Sequence, residues 1–442
     1  MKKKLVKLFE DQDFSELYKK GGISFIIRIG GQIMGFLMSF LIAYFYGAQG
    51  LGNFLLAFIV LRIFSMIAKL GIDTSSIRFI ASFVKQGKWQ SIKLFRKKIL
   101  FLISFTSILA SILMYFLAEI IGSLINVEIK YIELASFFIL PMTFFMLHYQ
   151  SLRGLKRIAE FSFFYRMSQA TFTIVCLFII SIFIKNSNVP IYAYLTSLCI
   201  VSMLSIITYK YWFSKKAILD SSENIENLTL RKILKISIPL MLAQSVQFIM
   251  AWTDKLMIGN MISAESVAIY GVAFRFSMGA SITLMAINSI ASPKFAEKFA
   301  TNNIQGMGKI AMQSAKIIFW TTIPLASILL LFPRFFMGLY GSEFLIGFEA
   351  LRWLIIGRVV NALSGSVGNV MQMSGQQNSY MNILIIGALI NILLNYFLIP
   401  IYGINGAALA SVFSLSFWNL SMVYIVQRRF GFSTIYLPFL RK

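Results

Sequence analysis

The chain has 442 residues, 58% of them hydrophobic and only 13% charged, with a formal net charge of +24. That balance excludes a soluble globule and places the chain among polytopic membrane proteins. Its cations gather in the connections between apolar runs, which points to membrane topology and away from nucleic acid as a partner.

Residues 1–20 are a polar, amphipathic lead-in without an apolar core, so no cleavable signal peptide is expected. Twelve spans follow, at 23–46, 54–80, 99–122, 131–152, 160–184, 191–213, 233–258, 266–292, 311–333, 346–373, 380–400 and 404–427. About 20 apolar residues suffice to cross a bilayer. Basic residues crowd one set of alternate connections and both termini, leaving Lys130, Lys185 and Arg334 on the other side. The positive-inside rule then makes both termini cytoplasmic, and attraction to anionic lipid headgroups is a secondary effect. Cys176 and Cys199 both lie in apolar runs, where they read as packing residues and not as a disulfide or a metal site.

The first two spans set the chemical problem. Arg28 shares a helical face with Gln32, Gly35 and Ser39, and Arg62, Ser65, Lys69, Asp73 and Ser76 share another. A charge at the bilayer centre costs at least ~2.5–3.5 kcal/mol on insertion scales, so such groups face a bundle interior or a watery cavity. Lys69 and Asp73, four residues apart, are placed to neutralise each other.

The polar stretch 214–232 divides the chain into a first half, 1–213, and a second, 233–442. The halves resemble each other at an offset of 216 residues: 47–58 lies over 263–274, and 109–114 over 325–330. Six spans per half is an even number, so both halves insert with the same orientation and a pseudo-twofold along the membrane normal is expected. This is transporter architecture.

In the second half, Gln244, Gln247 and Asp254 form a short stripe on span seven, and Arg275 lies within span eight. Span ten carries a longer stripe of Arg358, Asn361, Gly365, Asn369, Gln372 and Gln376. Nine cations are singled out within the spans: Arg28, Arg62, Lys69, Arg78, Arg166, Lys255, Arg275, Arg352 and Arg358, seven of them Arg in a chain whose loops favour Lys. The planar guanidinium suits phosphate or carboxylate held through paired bonds. For Arg78, Arg352 and Lys255, near span ends, salt bridging or snorkelling is the competing reading; Arg28, Arg62 and Arg275 lie deeper. Carboxamides such as Asn361, Asn369 and Gln372 suit sugar hydroxyls, and equally suit helix-to-helix bonding.

Asp73 and Asp254 are the candidates for a proton or cation, although Asp254 serves equally well as a partner for Arg275. Pro141, Pro239 and Pro324 interrupt spans and are candidate hinges. His148, the only histidine, reads as a satisfied polar residue. No metal-ligand cluster, phosphate-binding glycine loop or activated nucleophile is found, so an enzyme is not expected.

Three segments carry a resemblance: residues 46–52 (YGAQGLG), 151–157 (SLRGLKR) and 253–259 (TDKLMIG). In their order and spacing the chain resembles Wzx-type polysaccharide flippases, of the superfamily that also holds the multidrug and toxin extruders. The resemblance covers essentially the whole chain. It implies an all-α integral membrane fold of 12 transmembrane helices, in two six-helix bundles forming a V around a central cavity, as in the lipid II flippase. It implies movement of undecaprenyl-pyrophosphate-linked oligosaccharide units from the cytoplasmic to the outer leaflet of a bacterial inner membrane, for O-antigen or capsule. The related lipid II flippase draws cavity arginines from its first, second and eighth helices, as Arg28, Arg62 and Arg275 would here, with Lys69 and Arg358 adding to the cationic cavity. No cofactor is implied; a sodium or proton gradient acting through Asp73 or Asp254 is the candidate drive. A polysaccharide polymerase and a chain-length regulator are the partners the family implies. The competing readings are a cation-coupled drug antiporter on the same fold, a membrane-embedded glycan polymerase or acyltransferase, and uncoupled lipid scrambling. Excess base over acid in the spans argues against the antiporter, and short outer loops and a lone His against the enzymes.

Overall fold

The structure is a computed structural model that describes residues 12–217, 225–226 and 228–436, with side chains from residue 26 onward except 216, 217, 243, 246, 247, 250 and 289. The described residues form helices joined by short turns and loops, with no strand among them. Seven of these helices are long and apolar enough to cross a bilayer, or up to nine if each of two bent pairs counts as one span. Their outward faces carry large apolar side chains: Phe101 and Phe116 are each 76% exposed and Phe183 is 81% exposed. Surface of that kind is untenable in water at this extent and natural in lipid. The chain is a multi-pass integral membrane protein.

Two compact units divide the chain: Met1–Tyr46 with Asn53–Gln247, and Gly47–Gly52 with Phe248–Lys442. The first unit begins with α1 (Gln12–Ala68), which is two helices joined at a kink where Gly47 takes φ 67°. The expected first and second spans therefore share this one element. It ends at Ala68, and α2 (Ile72–Lys85) restarts after Leu70 and Gly71, both left-handed at φ 50° and 71°. After α3 (Trp89–Phe116) and α4 (Ala118–Ile125) come α5 (Ile129–Ser136) and α6 (Ile139–Gly154), which meet at 52°. The short α7 (Ile158–Ser162) runs into a π-helical turn, Phe163–Ser168, and on into α8 (Gln169–Phe183), before α9 (Val189–Ala217).

The sequence explains the packing of α3 directly. Ile92, Phe95, Ile99, Ile103, Ser107, Ala110 and Met114 recur at steps of three or four and are the buried face. From Ile99 onward the remaining faces are also largely apolar, as a lipid-exposed helix requires.

α10 (Leu230–Met261) starts within the first unit and ends in the second. The second unit continues with α11 (Ala264–Gly279), α12 (Ile282–Ala300), α13 (Ile304–Leu331), α14 (Pro333–Gly338), a 3-10 turn at Ser342–Gly347, α15 (Phe348–Ser364), α16 (Val367–Met373), α17 (Gln377–Tyr402) and α18 (Ile404–Phe430). Its core includes Phe295, Met307, Ala311, Val370, Met371, Met422 and Val426, with Phe432 and Ile435 of the tail packed against it.

The repeat in the sequence recurs in the elements. α3 and α13 are each 28 residues long and begin 215 residues apart. Gly47 ends one helix before Ala48, and Ser263, its counterpart, caps α11 by accepting from the Ser266 amide at 3.1 Å. In both units the following span is broken, at Lys69–Gly71 and between α11 and α12, where the axes bend by 49°.

Candidate functional site

In the first unit the chemistry collects at the break between α1 and α2. Lys69 and Asp73 are 5% and 2% exposed, and Lys69 Nζ donates to Asp73 Oδ2 at 2.7 Å and to Gln244 Oε1 at 2.9 Å. Gln244 Nε2 in turn donates to Thr74 Oγ1 at 2.6 Å. Beside this knot Ser75 and Ser237 share a hydroxyl–hydroxyl bond of 2.7 Å. Gly71 lies so close to the Ser237 carbonyl and the Met241 amide that a Cβ has no room. The break is therefore sealed by α10, which is what lets irregular backbone persist at membrane depth.

Arg62, about two turns before the break on α1, is half-buried over the Phe58 ring at 5.4 Å. Arg62 Nε, Ser65 Oγ and Asp73 Oδ1 are buried without a hydrogen-bond partner. Arg62, Asp73 and Arg166 all lie within electrostatic reach of the buried Tyr149. Arg166 sits on the π turn, its guanidinium 4.6 Å from the Tyr165 ring. Gly31 admits the close approach of that turn, because a Cβ there would come within 2.6 Å of the Arg166 carbonyl. π turns of this kind recur at functional sites. Arg28 is exposed on α1.

The second unit holds a separate group. Asp254, 6% exposed, accepts from Tyr270 Oη at 2.5 Å and Ser411 Oγ at 2.5 Å on one oxygen, and from Asn395 Nδ2 at 2.8 Å on the other. Asn395 Nδ2 also reaches Asn391 Oδ1 at 3.1 Å, and Asn395 Oδ1 is buried without a partner. A carboxylate is thus surrounded by neutral oxygen-bearing groups. Its hydrogen bonds come from hydroxyls and an amide.

Next to it stand three cations, two of them over aromatic rings. Lys255, 7% exposed, lies 4.2 Å from the Trp252 ring and 4.6 Å from Phe274, and Arg358 lies 5.2 Å from the same Phe274 ring. Arg275 interacts with Tyr340. Among the described residues no carboxylate comes within ion-pair distance of Lys255. Its ammonium lies against ring faces, with Asp254 within electrostatic reach but not in an ion pair with it.

On the tenth expected span, Gly365 (φ 62°) separates α15 from α16. Asn369 Nδ2 donates to Ser292 Oγ at 2.8 Å and to the Asn288 carbonyl at 3.4 Å, joining α16 to α12. Asn361 and Gln372 are half-buried. The Gln247 side chain lies outside the described residues. His148 Nδ1 faces the Phe144 carbonyl at 2.7 Å and Nε2 faces Arg96 at 2.9 Å, so the ring donates through Nδ1 and accepts through Nε2. Among the described residues no group of His, Cys, Asp or Glu is placed to hold a metal ion.

The sequence pattern of the polysaccharide biosynthesis protein family matches residues 17–299, well over half of the chain. The chain belongs to that family. A second pattern, MatE, matches residues 239–397 of this polysaccharide biosynthesis protein. It is similar to the probable low-salt glycan biosynthesis flippase Agl15 of Haloferax volcanii, at 26% identity over 38% of this chain. That match spans about a third of the relative's length, 35%. In structure it resembles an inward-facing multidrug resistance MATE family transporter of the MOP superfamily, with a TM-score of 0.70, 16% identity, and 92% and 98% of the two chains covered. It also resembles lipid II flippase MurJ in an inward closed conformation, with a TM-score of 0.71, 16% identity, and 91% and 87% covered. The fold is that of the MATE and MurJ membrane transporters.

Sequence reasoning missed Tyr270, Asn391, Asn395 and Ser411 around Asp254. Asn391 and Asn395 are spaced four apart in an otherwise apolar span, a usable signal for a polar face. Tyr270 and Ser411 carry no such mark. Thr74 and Tyr149 were equally silent.

Proposed function

We propose that the chain is a flippase for lipid-linked, phosphate-bearing glycans, of the undecaprenyl-pyrophosphate oligosaccharide class used for O-antigen or capsule. The observation that carries the reading is Lys255, a buried ammonium held by Trp252 and Phe274 and without a carboxylate at ion-pair distance among the described residues. A buried cation without a direct ion pair is costly in a membrane helix, and an anionic ligand lowers that cost. Arg275 and Arg358 are the other phosphate ligands proposed in the second unit; Arg28 and Arg62 are the cations proposed for an anion in the first. Asn361, Asn369 and Gln372 are proposed for the sugars, with Asn369 already engaged by Ser292. The family membership and the likeness to a named glycan flippase support the same substrate class.

The membrane is proposed to be a bacterial inner membrane with both termini cytoplasmic, on the positive-inside pattern of the connections. An inside-negative potential then favours outward movement of an anion by ~2.3 kcal/mol per charge per 100 mV. Alternating access is the proposed cycle. For its reset, Asp254 is a better candidate than Asp73: Asp73 is ion-paired with Lys69, whereas the hydrogen-bond partners of Asp254 are all neutral. The oxygen-rich set of Asp254, Asn391, Asn395 and Ser411 suits a hard cation such as sodium, or a proton on Asp254. Polymerase and chain-length regulator belong to the proposal as downstream partners.

The test is movement of a fluorescent pyrophosphoryl oligosaccharide lipid across proteoliposomes. Lys255→Ala and Arg275→Ala are expected to abolish it while the protein stays folded. Undiminished transport by both variants contradicts the reading.

A further inference from the structure

Away from both groups of buried charge, the first unit has an open basin of about 960 Å³ at the beginning of α10, lined by Thr229, Arg231, Lys232, Leu234, Lys235, Ile238 and Pro239. Its cations and its apolar residues are ordered along the helix. Arg231, Lys235, Ile238 and Leu242 recur at steps of three or four, so they lie on one face. That face is exposed: Ile238 is 41% and Leu242 57% accessible, and both cations are exposed. From the helix start inward, it presents charge first and hydrocarbon second.

The acid nearby does not cancel this charge. Glu226 pairs with Lys88 at 3.3 Å and with Lys232 at 3.6 Å. Lys98 Nζ donates to the Leu228 carbonyl at 2.8 Å, which adds a further cation at this end of the unit. Among the described residues Arg231 and Lys235 have no ion-pair partner.

We infer that this basin is a docking site for an anionic bilayer phospholipid, with the phosphate on Arg231 and Lys235 and an acyl chain along Ile238 and Leu242. Charge complementarity selects an anionic head, and the apolar continuation of the same stripe selects a chain-bearing molecule over a soluble anion. Juxtamembrane cations each contribute about 1 kcal/mol of attraction to anionic lipid, and a pocket adds shape to that attraction. The site is separate from the groups assigned to the glycan lipid, and does not depend on what the chain transports.

The experiment is native mass spectrometry of the purified full chain in detergent, titrated with phosphatidylglycerol, phosphatidylcholine or glycerol phosphate. Wild type is expected to retain one phosphatidylglycerol with a preference over phosphatidylcholine on the order of tenfold, and to retain no glycerol phosphate. The double variant R231Q/K235Q is expected to lose the preference, and Ile238→Ser to weaken retention of both lipids. Both variants change exposed side chains; equal thermal unfolding with wild type establishes that they are folded. Equal retention of phosphatidylglycerol by wild type and R231Q/K235Q overturns the proposal. Binding of glycerol phosphate as tight as that of the lipid also overturns it, in favour of a soluble anion.

Discussion

Lys69 and Asp73 form an ion pair at 2.7 Å with side chains 6% and 3% exposed, at the point where the second span breaks. Four residues separate them, yet they do not sit on one continuous helix, because Leu70 and Gly71 turn left-handed between them. The pair, with Gln244 and Thr74, ties the two sides of the break to α10.

Removing one partner is the sharpest test of that knot. Asp73→Ala leaves a buried ammonium uncompensated and is expected to cost about 3–5 kcal/mol, whereas the paired change K69M/D73L costs much less. Thermal unfolding in detergent of both variants measures the contrast. Equal losses would show that the pair carries no coupling.

Gly52 supplies a second prediction. A Cβ at this position would overlap the Ala264 carbonyl, a backbone atom that cannot swing aside. Gly52→Ala is expected to destabilise the second unit by about 1–3 kcal/mol, whereas Gly35→Ala, with open space around it, is expected to be neutral. Yield of monodisperse protein and unfolding temperature compare the two.

Much of this arrangement was legible in the sequence. The Lys69–Asp73 spacing announced a pair, the offset of 216 announced the repeat, and Gly47 and Ser263 fall at matching helix starts. Other features had no local signal. Leu70 takes a left-handed conformation that a leucine avoids, so nothing in its identity marks the break. The partners of Asp254 lie 16, 141 and 157 residues away, and no periodicity connects positions brought together only by tertiary packing. The π turn at Phe163–Ser168 packs against Gly31, a residue far off in the sequence that does not mark the turn.

The Asp254 group predicts a dependence on cations. Tyr270→Phe and Ser411→Ala each remove a 2.5 Å donor to the carboxylate and are expected to alter the gradient dependence of transport. Asp254→Asn is expected to abolish that dependence altogether. Transport initiated by a sodium or pH jump in proteoliposomes reads the difference. A gradient response unchanged in Asp254→Asn would remove this residue from the coupling step.

The most direct test of the account is binding of the lipid-linked pyrophosphoryl oligosaccharide to Lys255. Trp252 lies 4.2 Å from that ammonium, so occupation of the site should change indole fluorescence in a protein whose other tryptophans have been replaced by phenylalanine. The account predicts a saturable change with the pyrophosphoryl lipid, no change with its neutral dephosphorylated counterpart, and loss of the response in Lys255→Gln. An identical response to both lipids, or an undiminished one in Lys255→Gln, would contradict it.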